Sequence, residues 1–251
     1  DRSEADMLGG LLRDAEEGYT HSLAVVIPKG PCWPLRAYEL ALLVALDAKD
    51  MGAELHATIV TPEPSPLAIL GAHAVDLIAS ELAKAGVSVV PDDRAVFEDG
   101  RLTATLSDSG EPIAVNRVLA LPSLRGRPLP GIPTDPDGFV SIDDHCRVVG
   151  LADVWAAGDG TAFPLKSGGF ASEQADIAAE CIAAAAGAAV EPHVFDPSAR
   201  ADLAGLPTGR FLEARVNKDS GRGLTMHLPA FGMPMLTYLE RDLRAGYRGS
   251  P

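Results

Sequence analysis

The stretch that decides the fold is Val154–Ala186, which reads VWAAGDGTAFPLKSGGFASEQADIAAECIAAAA. An apolar run of small residues ends at Gly158-Asp159, a proline-containing loop follows, and an alanine-rich segment then runs on without a breaker. This order predicts a strand over Val154–Ala157, then a turn, a loop and a helix over residues 168–186. Ligands bind at the carboxyl ends of strands in open α/β sheets, and helix N-termini attract anions. The stretch therefore predicts a cofactor site.

Upstream of this stretch, apolar runs alternate with helical patterns, and short connections rich in Gly and Pro separate them. After a helical pattern over residues 5–18, the predicted elements are a strand at Leu23–Pro28, a helix at Ala37–Lys49, a strand at Leu55–Val60, a helix at His73–Ala85 and a strand at Val87–Val90. This β-α-β-α-β order predicts a parallel sheet with right-handed crossovers.

The next region changes to short segments of alternating polarity. Ala95–Glu98, Arg101–Leu106 and Ile113–Val115 predict a small antiparallel meander with Asp99-Gly100 as a hairpin turn. The apolar run Arg117–Leu121 predicts a strand that rejoins the parallel sheet. Residues 122–138 are rich in Pro and Gly and predict a linker at a domain boundary.

The last third of the chain gives weaker signals. A strand is predicted at Phe139–Ile142, another within Thr208–Val216, a polar loop at 217–223 and a helix at Pro234–Arg244. The last helix has its apolar residues on one side, and packing within the protein is favoured over contact with a membrane or a partner subunit. Glu39 and Glu173 fall within helical patterns, where a solvated face is expected.

Composition excludes several classes of function. The formal net charge is −14 and no basic block occurs, which argues against nucleic acid and against an anionic membrane surface. The three cysteines form no CxxC pair and the six histidines lack metal-ligand spacing, so no metal site is predicted. Low cysteine content and the absence of a signal-like N-terminus predict a cytoplasmic location. Because the chain starts at Asp1, a processed or excised piece is expected.

Two stretches taken together resemble the pyridine nucleotide-disulfide oxidoreductases, flavoproteins with two dinucleotide domains. Residues 138–162, GFVSIDDHCRVVGLADVWAAGDGTA, are similar to the late FAD motif of that family. The motifs WPLRAYELALLVA at 33–45, VTPEPSPLAILG at 60–71 and LKSGGFASEQA at 165–175 are most similar to its sulfide:quinone oxidoreductase-like branch. The resemblance covers roughly residues 20–186.

The resemblance implies FAD as cofactor and a set of cofactor-binding residues. Asp159, after Gly158, takes the position whose carboxylate accepts hydrogen bonds from the ribityl chain in the family. The loop that packs beside the flavin pyrimidine ring maps onto five residues: Lys166, Ser167, Gly168, Gly169 and Phe170. A lysine charge and a helix dipole there would both favour the anionic N1–C2=O edge of reduced flavin. The branch also uses cysteines to relay sulfide sulfur, but no catalytic residue is assigned among Cys32, Cys146 and Cys181.

Two departures from the family pattern bear on function. No GxGxxG motif occurs in the 251 residues, so the turn that holds the FAD pyrophosphate is not encoded in this chain. After the strand Leu23–Pro28, the glycines of a nicotinamide-dinucleotide site are replaced by KGPCWP. Pro31 and Pro34 lack the N–H donors that a pyrophosphate needs, and Trp33 fills the space that a glycine leaves open. NAD(P) binding is therefore expected to be lost.

The sequence as a whole predicts an α/β fold with a Rossmann-like parallel sheet and a small antiparallel meander, followed by a partial FAD-domain segment and a C-terminal extension. The predicted divisions are an N-terminal connector at 1–19, the Rossmann-like domain at 20–121, a linker with the FAD-domain remnant at 122–187 and the extension at 188–251. The predicted function is a portion of an FAD-dependent oxidoreductase, completed by a partner chain that carries the GxGxxG half. A homo-oligomer is a further possibility.

Two other functions remain open at this point. One is a non-enzymatic, degenerate Rossmann scaffold or partner subunit that completes its fold with another chain. The other is a free-standing NAD(P) dehydrogenase, which the KGPCWP loop disfavours.

Overall fold

A computed structural model describes residues 2–93, 95–97, 103–106, 112–202 and 211–215. In chain order the elements are α1 (Arg2–Glu16), β1 (Ser22–Val26), α2 (Leu35–Asp50), β2 (His56–Val60), a 3-10 turn (Ala68–Leu70), α3 (Ala72–Ala85), β3 (Ser88–Val90), β4 (Ala95–Phe97), β5 (Thr103–Leu106), β6 (Pro112–Ala114), β7 (Arg117–Ala120), a second 3-10 turn (Gly158–Gly160), α4 (Gly168–Ala185), β8 (Ser198–Asp202) and β9 (Phe211–Arg215).

The central sheet is parallel and has the strand order β3-β2-β1-β7. The chain runs from β1 outward to β3 and then returns to the other side of β1 with β7. The strand order therefore reverses between β1 and β7, and this reversal places a crevice at the carboxyl ends of these two strands. The predicted α/β class and the predicted return of Arg117–Leu121 to the sheet are confirmed.

The two faces of the sheet are covered by different layers. On one face, alternate β1 residues Leu23 and Val25 join an apolar core with residues of α1, α2 and α3. On the other face, Ala24 and Val26 pack with residues of the meander region, including Val115. Because successive side chains of a strand point to opposite faces, a strand covered on both sides becomes a continuous apolar run. The meander β4-β5-β6 is antiparallel, as predicted.

Two predicted strands are wrong. Phe139–Ile142 and Val154–Ala157 contain only isolated bridges, which pair Val140 with Thr161, Ile142 with Val148 and Trp155 with Arg147. A strand requires consecutive partners along one neighbouring strand, whereas Val140 and Ile142 pair with two different segments and Trp155 pairs singly. The apolar run at 154–157 therefore belongs to no sheet among the described residues, and its residues are half-buried or exposed.

The remaining predictions have different outcomes. The helix predicted at 168–186 is confirmed as α4, and β9 confirms a strand within Thr208–Val216. The hairpin turn at Asp99-Gly100, the polar loop at 217–223 and the helix at Pro234–Arg244 lie outside the described residues. Buried residues from both sides of the predicted linker belong to one apolar core, and the predicted domain boundaries stay predictions.

Candidate functional site

The turn before α4 is held by a buried glutamine that the sequence analysis did not select. The backbone N–H of Gly158 donates to Oε1 of Gln174 at 2.7 Å, and the Gln174 side chain is 1% exposed. The hydroxyl of Thr161 donates to the Gly158 carbonyl at 2.9 Å and lies 3.4 Å from the same Gln174 oxygen. Gly158 has a φ of +82°, a conformation that glycine adopts at little cost. The turn is therefore fixed to α4 from two sides.

Lys166 is buried against the far side of this turn. Its side chain is 7% exposed, and Nζ donates to the carbonyl oxygen of Thr161 at 2.5 Å and lies 4.2 Å from the centroid of the Phe139 ring. Burial lowers the pKa of Lys166, whereas the charges of Asp159 and Asp135 oppose that shift. The structure thus places the ammonium group on the backbone of the turn.

The start of α4 leaves open space beside an exposed carboxylate. Asp159, Gly168 and Gly169 are exposed, and a Cβ placed on Gly168 would meet no atom within 4 Å. A Cβ on Gly169 would meet only the hydroxyl of Ser167, at 3.9 Å. Packing within the described residues therefore does not require these glycines. We call the surface formed by Asp159, Gly168 and Gly169 the α4 ledge.

The first N–H groups of α4 face this space without a side-chain cap. Ser167 precedes the helix in an extended conformation and makes no capping hydrogen bond. The first N–H groups of a helix lack intrahelical acceptors and carry the positive end of its dipole. The α4 ledge therefore combines hydrogen-bond donors, a partial positive charge and a carboxylate, which suits a ligand with both hydroxyl groups and an electron-rich ring edge.

Phe170 is the predicted loop residue whose buried ring packs against other aromatic rings. Its ring meets that of Phe163 edge-on at 5.1 Å between centroids and that of Trp33 at 6.1 Å. The structure therefore brings Gly158, Asp159 and the 166–169 loop together, and it places Phe170 beneath them as support. Trp33 connects this support to the loop that follows β1.

The loop after β1 is paired directly with the loop before α4. The backbone N–H of Cys32 donates to the carbonyl of Pro164, and the N–H of Lys166 donates to the carbonyl of Cys32, both at 3.1 Å. Cys32 and Leu165 form a parallel bridge in this way. We call this pairing the Cys32–Leu165 clasp. It engages both backbone polar groups of Cys32 in the loop after β1.

A second polar cluster lies after β2. The hydroxyl of Tyr38 donates to Oε2 of Glu63 at 2.8 Å, and the hydroxyl of Thr61 donates to the same oxygen at 3.2 Å. Burial raises the pKa of Glu63, although these hydrogen bonds act in the opposite direction. Burial, and then the Glu63 charge, raise the pKa of Tyr38 and raise the pKa of the Cys32 thiol to about 11. A thiol with this pKa is protonated at neutral pH and is a poor nucleophile.

Other sites can be tested only within the part of the chain that the structure describes. There, no group of three or more His, Cys, Asp or Glu side chains is arranged to hold a metal ion. Among the same residues, no helix has the length and apolar character required to cross a membrane. All three cysteines are free thiols.

Comparison with known proteins bears on the fold. No protein-family model matches the sequence, and no curated protein matches it. Among solved structures, the sulfide:quinone oxidoreductase from the hyperthermophilic bacterium Aquifex aeolicus superposes with a TM-score of 0.63 and 14% identity, over 81% of this chain and 56% of that one. The chain shares the fold of this protein.

Two further solved structures agree. LpdA from Mycobacterium tuberculosis has a TM-score of 0.54 and 20% identity, over 72% of this chain and 38% of that one. The NAD-dependent persulfide reductase from A. fulgidus has a TM-score of 0.52 and 20% identity, over 81% of this chain and 37% of that one. The resemblance stated from the sequence is thus confirmed at the level of the fold. The chain spans well under two thirds of the length of each of these proteins.

Proposed function

We propose that this chain is the portion of an FAD-dependent oxidoreductase that holds the ribityl chain and the pyrimidine end of the flavin. The observation that carries the proposal is the α4 ledge, where Asp159 and two glycines without packing neighbours surround an uncapped helix start. A planar ring can approach a backbone that lacks Cβ atoms, and a carboxylate is a suitable acceptor for sugar-like hydroxyl groups. The residues present therefore fit the cofactor.

Each part of the α4 ledge has its own role in this proposal. Asp159 accepts hydrogen bonds from ribityl hydroxyl groups. The N–H groups of Gly168 and Gly169, together with the helix dipole, stabilise the negative charge that develops at the N1–C2=O edge on reduction. Bound FAD supplies the hydride or electron-pair chemistry, and the protein orients it and adjusts its electrostatics.

Lys166 and Ser167 have supporting roles. The Lys166 ammonium holds the Thr161 carbonyl, so its charge acts on the flavin edge through space and not by direct contact. Ser167 precedes α4 and sets the direction in which the helix begins. Phe170 supports the loop from below through its contacts with Phe163 and Trp33.

We also propose that the nicotinamide-dinucleotide site of the Rossmann-like sheet is lost. The Cys32–Leu165 clasp supports this, because the Cys32 N–H that could face a phosphate is bonded to Pro164. The flanking residues Pro31 and Pro34 have no N–H to offer. Trp33 packs against Phe170, which fixes a bulky ring where close approach of a pyrophosphate requires a small residue.

Flavin binding by the purified protein tests the main proposal. We expect FAD to be retained or taken up with flavin absorbance, and Asp159→Ala to weaken its binding about tenfold or more, because a charge-assisted hydrogen bond is lost. Asp76→Ala on α3 makes a matched control, since it is the same substitution at another exposed aspartate, far from the α4 ledge in sequence. Equal FAD affinity in both variants would contradict the proposal. Saturable NADH binding would contradict the loss of the dinucleotide site.

We also propose that a partner chain carries the GxGxxG half. Ile182 on α4 is 51% exposed, and we choose it as the position at which contact of this helix with another polypeptide is tested. Copurification with a GxGxxG-bearing chain, reduced by Ile182→Glu and unaffected by Met51→Glu at another exposed apolar position, would support it. A partner that binds equally well without any flavin in the complex would favour the alternative function, a non-enzymatic scaffold.

A further inference from the structure

Gln174 is an unusual residue for its position in α4. The other residues buried on its side of the helix are Phe170, Ile177, Ala178 and Cys181, which are apolar. Burying an amide side chain costs free energy unless its polar atoms are hydrogen-bonded. Here the cost is offset by the bond from the Gly158 N–H, whose 2.7 Å length is at the short end of the usual range.

The hydrogen bond from Gly158 to Gln174 fixes the backbone of Gly158 and also that of the next residue, Asp159. Within the described residues the Asp159 carboxylate accepts no hydrogen bond, and it interacts with Lys166 only through its charge. The direction of the Asp159 side chain is therefore set by the backbone of the Gly158–Gly160 turn. That backbone is held by Gln174 at its first residue and by Thr161 at its end.

The same helix carries both parts of the α4 ledge. Gly168 and Gly169 belong to the first turn of α4, whereas Gln174 lies in its second turn and reaches back to the Asp159 turn. A helix is a rigid element, so this arrangement fixes the distance between the Asp159 backbone, from which the carboxylate extends, and the uncapped N–H groups. Groups held in place before a ligand arrives bind it without a further ordering cost.

We infer that Gln174 is a positioning residue that sets the spacing between the Asp159 carboxylate and the N-terminus of α4, and thereby the affinity for a ligand that bridges them. This inference rests on the proposed function, because the bridging ligand is the ribityl and pyrimidine part of FAD. Gln174 itself does not touch the ligand.

The first test measures the turn in the protein without added flavin. Gln174→Leu removes the acceptor with little change in volume, and we expect faster amide hydrogen exchange at Gly158 and Thr161. Gln174→Glu keeps an oxygen at the acceptor position and should restore protection. Exchange at Ile59 and Val60 in β2 serves as the internal control for global folding. Unchanged exchange at Gly158 in Gln174→Leu would overturn the inference.

The second test couples Gln174 to Asp159. We expect Gln174→Leu to raise the dissociation constant for FAD roughly tenfold, with substantial recovery in Gln174→Glu. The double variant Gln174→Leu/Asp159→Ala should bind no more weakly than Asp159→Ala alone, because Gln174 acts through that carboxylate. Additive losses would overturn the inference.

The two tests separate this inference from the proposed function. If the unsubstituted protein takes up no FAD, the proposed function fails, and the exchange measurement still decides whether Gln174 fixes the turn. If FAD binds and Gln174→Leu leaves both exchange and affinity unchanged, the positioning role fails and the flavin site stands.

Discussion

The carbonyl of Cys32 accepts the backbone N–H of Lys166 at 3.1 Å, so the loop that follows the first strand of the sheet is bonded to the loop of the candidate flavin site. The loop after β1 and the loop before α4 therefore hold each other in place. The Cys32–Leu165 clasp joins the loop after β1 to the loop that leads into the α4 ledge. The loop after β1 is where a dinucleotide would bind in a Rossmann-like sheet. The proposed loss of NAD(P) binding and the proposed shape of the flavin site are thus consequences of one pairing.

The environment of the Cys32 thiol gives a prediction about its reactivity. Burial and the neighbouring Glu63 charge raise its pKa to about 11, so only a small fraction is thiolate at neutral pH. We expect alkylation of Cys32 to be slow at neutral pH and to accelerate up to about pH 11. Glu63→Gln should shift this profile to lower pH, since it removes the second cause. Peptide mass mapping after timed alkylation measures the rate, and Cys32→Ser supplies the background from the buried Cys146 and Cys181.

Glu63 also predicts how stability depends on pH. Its pKa is raised in the folded protein above the ordinary value of 4.5, so the folded state holds a proton that the unfolded state releases. Stability from this group is therefore complete below pH 4.5 and is lost as the pH rises through the folded pKa. Urea unfolding across this range should show a decline that Glu63→Gln removes. A decline of equal slope in Glu63→Gln would assign it to other groups.

Lys166 predicts a pH dependence in the alkaline range. Its pKa is lowered from 10.5 by burial, so the folded protein releases this proton at a pH where the unfolded chain still holds it. Stability relative to Lys166→Met should therefore rise with pH between the lowered pKa and 10.5. The difference in free energy of unfolding between the two proteins, measured against pH, tests this. A difference that stays constant with pH over this range would contradict the prediction.

We expect substitution of a glycine of the α4 ledge to affect protein stability and FAD binding in different directions. A Cβ on Gly169 would meet no backbone atom, and alanine is the better residue within a helix by roughly 0.5–1 kcal/mol. Gly169→Ala should therefore leave the melting temperature unchanged or raise it, and yet weaken FAD binding because the methyl group occupies the approach of the ring. Calorimetry and flavin titration on the same sample measure both. A destabilised variant, or unchanged FAD affinity, would contradict this account of the α4 ledge.

Local patterns in the sequence predicted most of the sheet. The runs at β1 and β2, the helices α2 and α3 and the meander follow from hydrophobic period and from breakers, which act within a few residues. The segment at Val154–Ala157 was predicted wrongly because a strand needs a neighbour that continues the pairing, and an apolar run alone does not reveal whether one is present. Glu39, expected to be solvated, is buried, since α2 packs on more than one side.

The cofactor-binding residues named from the sequence stay a prediction, and the sequence analysis missed the residues that support them. Gln174 carried a signal, because it falls on the apolar face of α4 between Phe170 and Ile177 at helical spacing. A polar residue at such a position indicates a specific buried partner. The pairing of Cys32 with Leu165 and that of Tyr38 with Glu63 join residues far apart in the chain, and no local pattern encodes either.

The Cys32–Leu165 clasp also has a consequence for the order of folding. The chain between these two residues contains most of the sheet, the meander and the linker, so the ends of a very long loop must meet before the clasp forms. Closing such a long loop costs conformational entropy before its contacts form. The βαβ units form through contacts between residues that are near one another in the chain. The Cys32–Leu165 clasp is therefore expected to form after the βαβ units, whereas the bond from Gly158 to Gln174 joins residues only 16 apart and can form early.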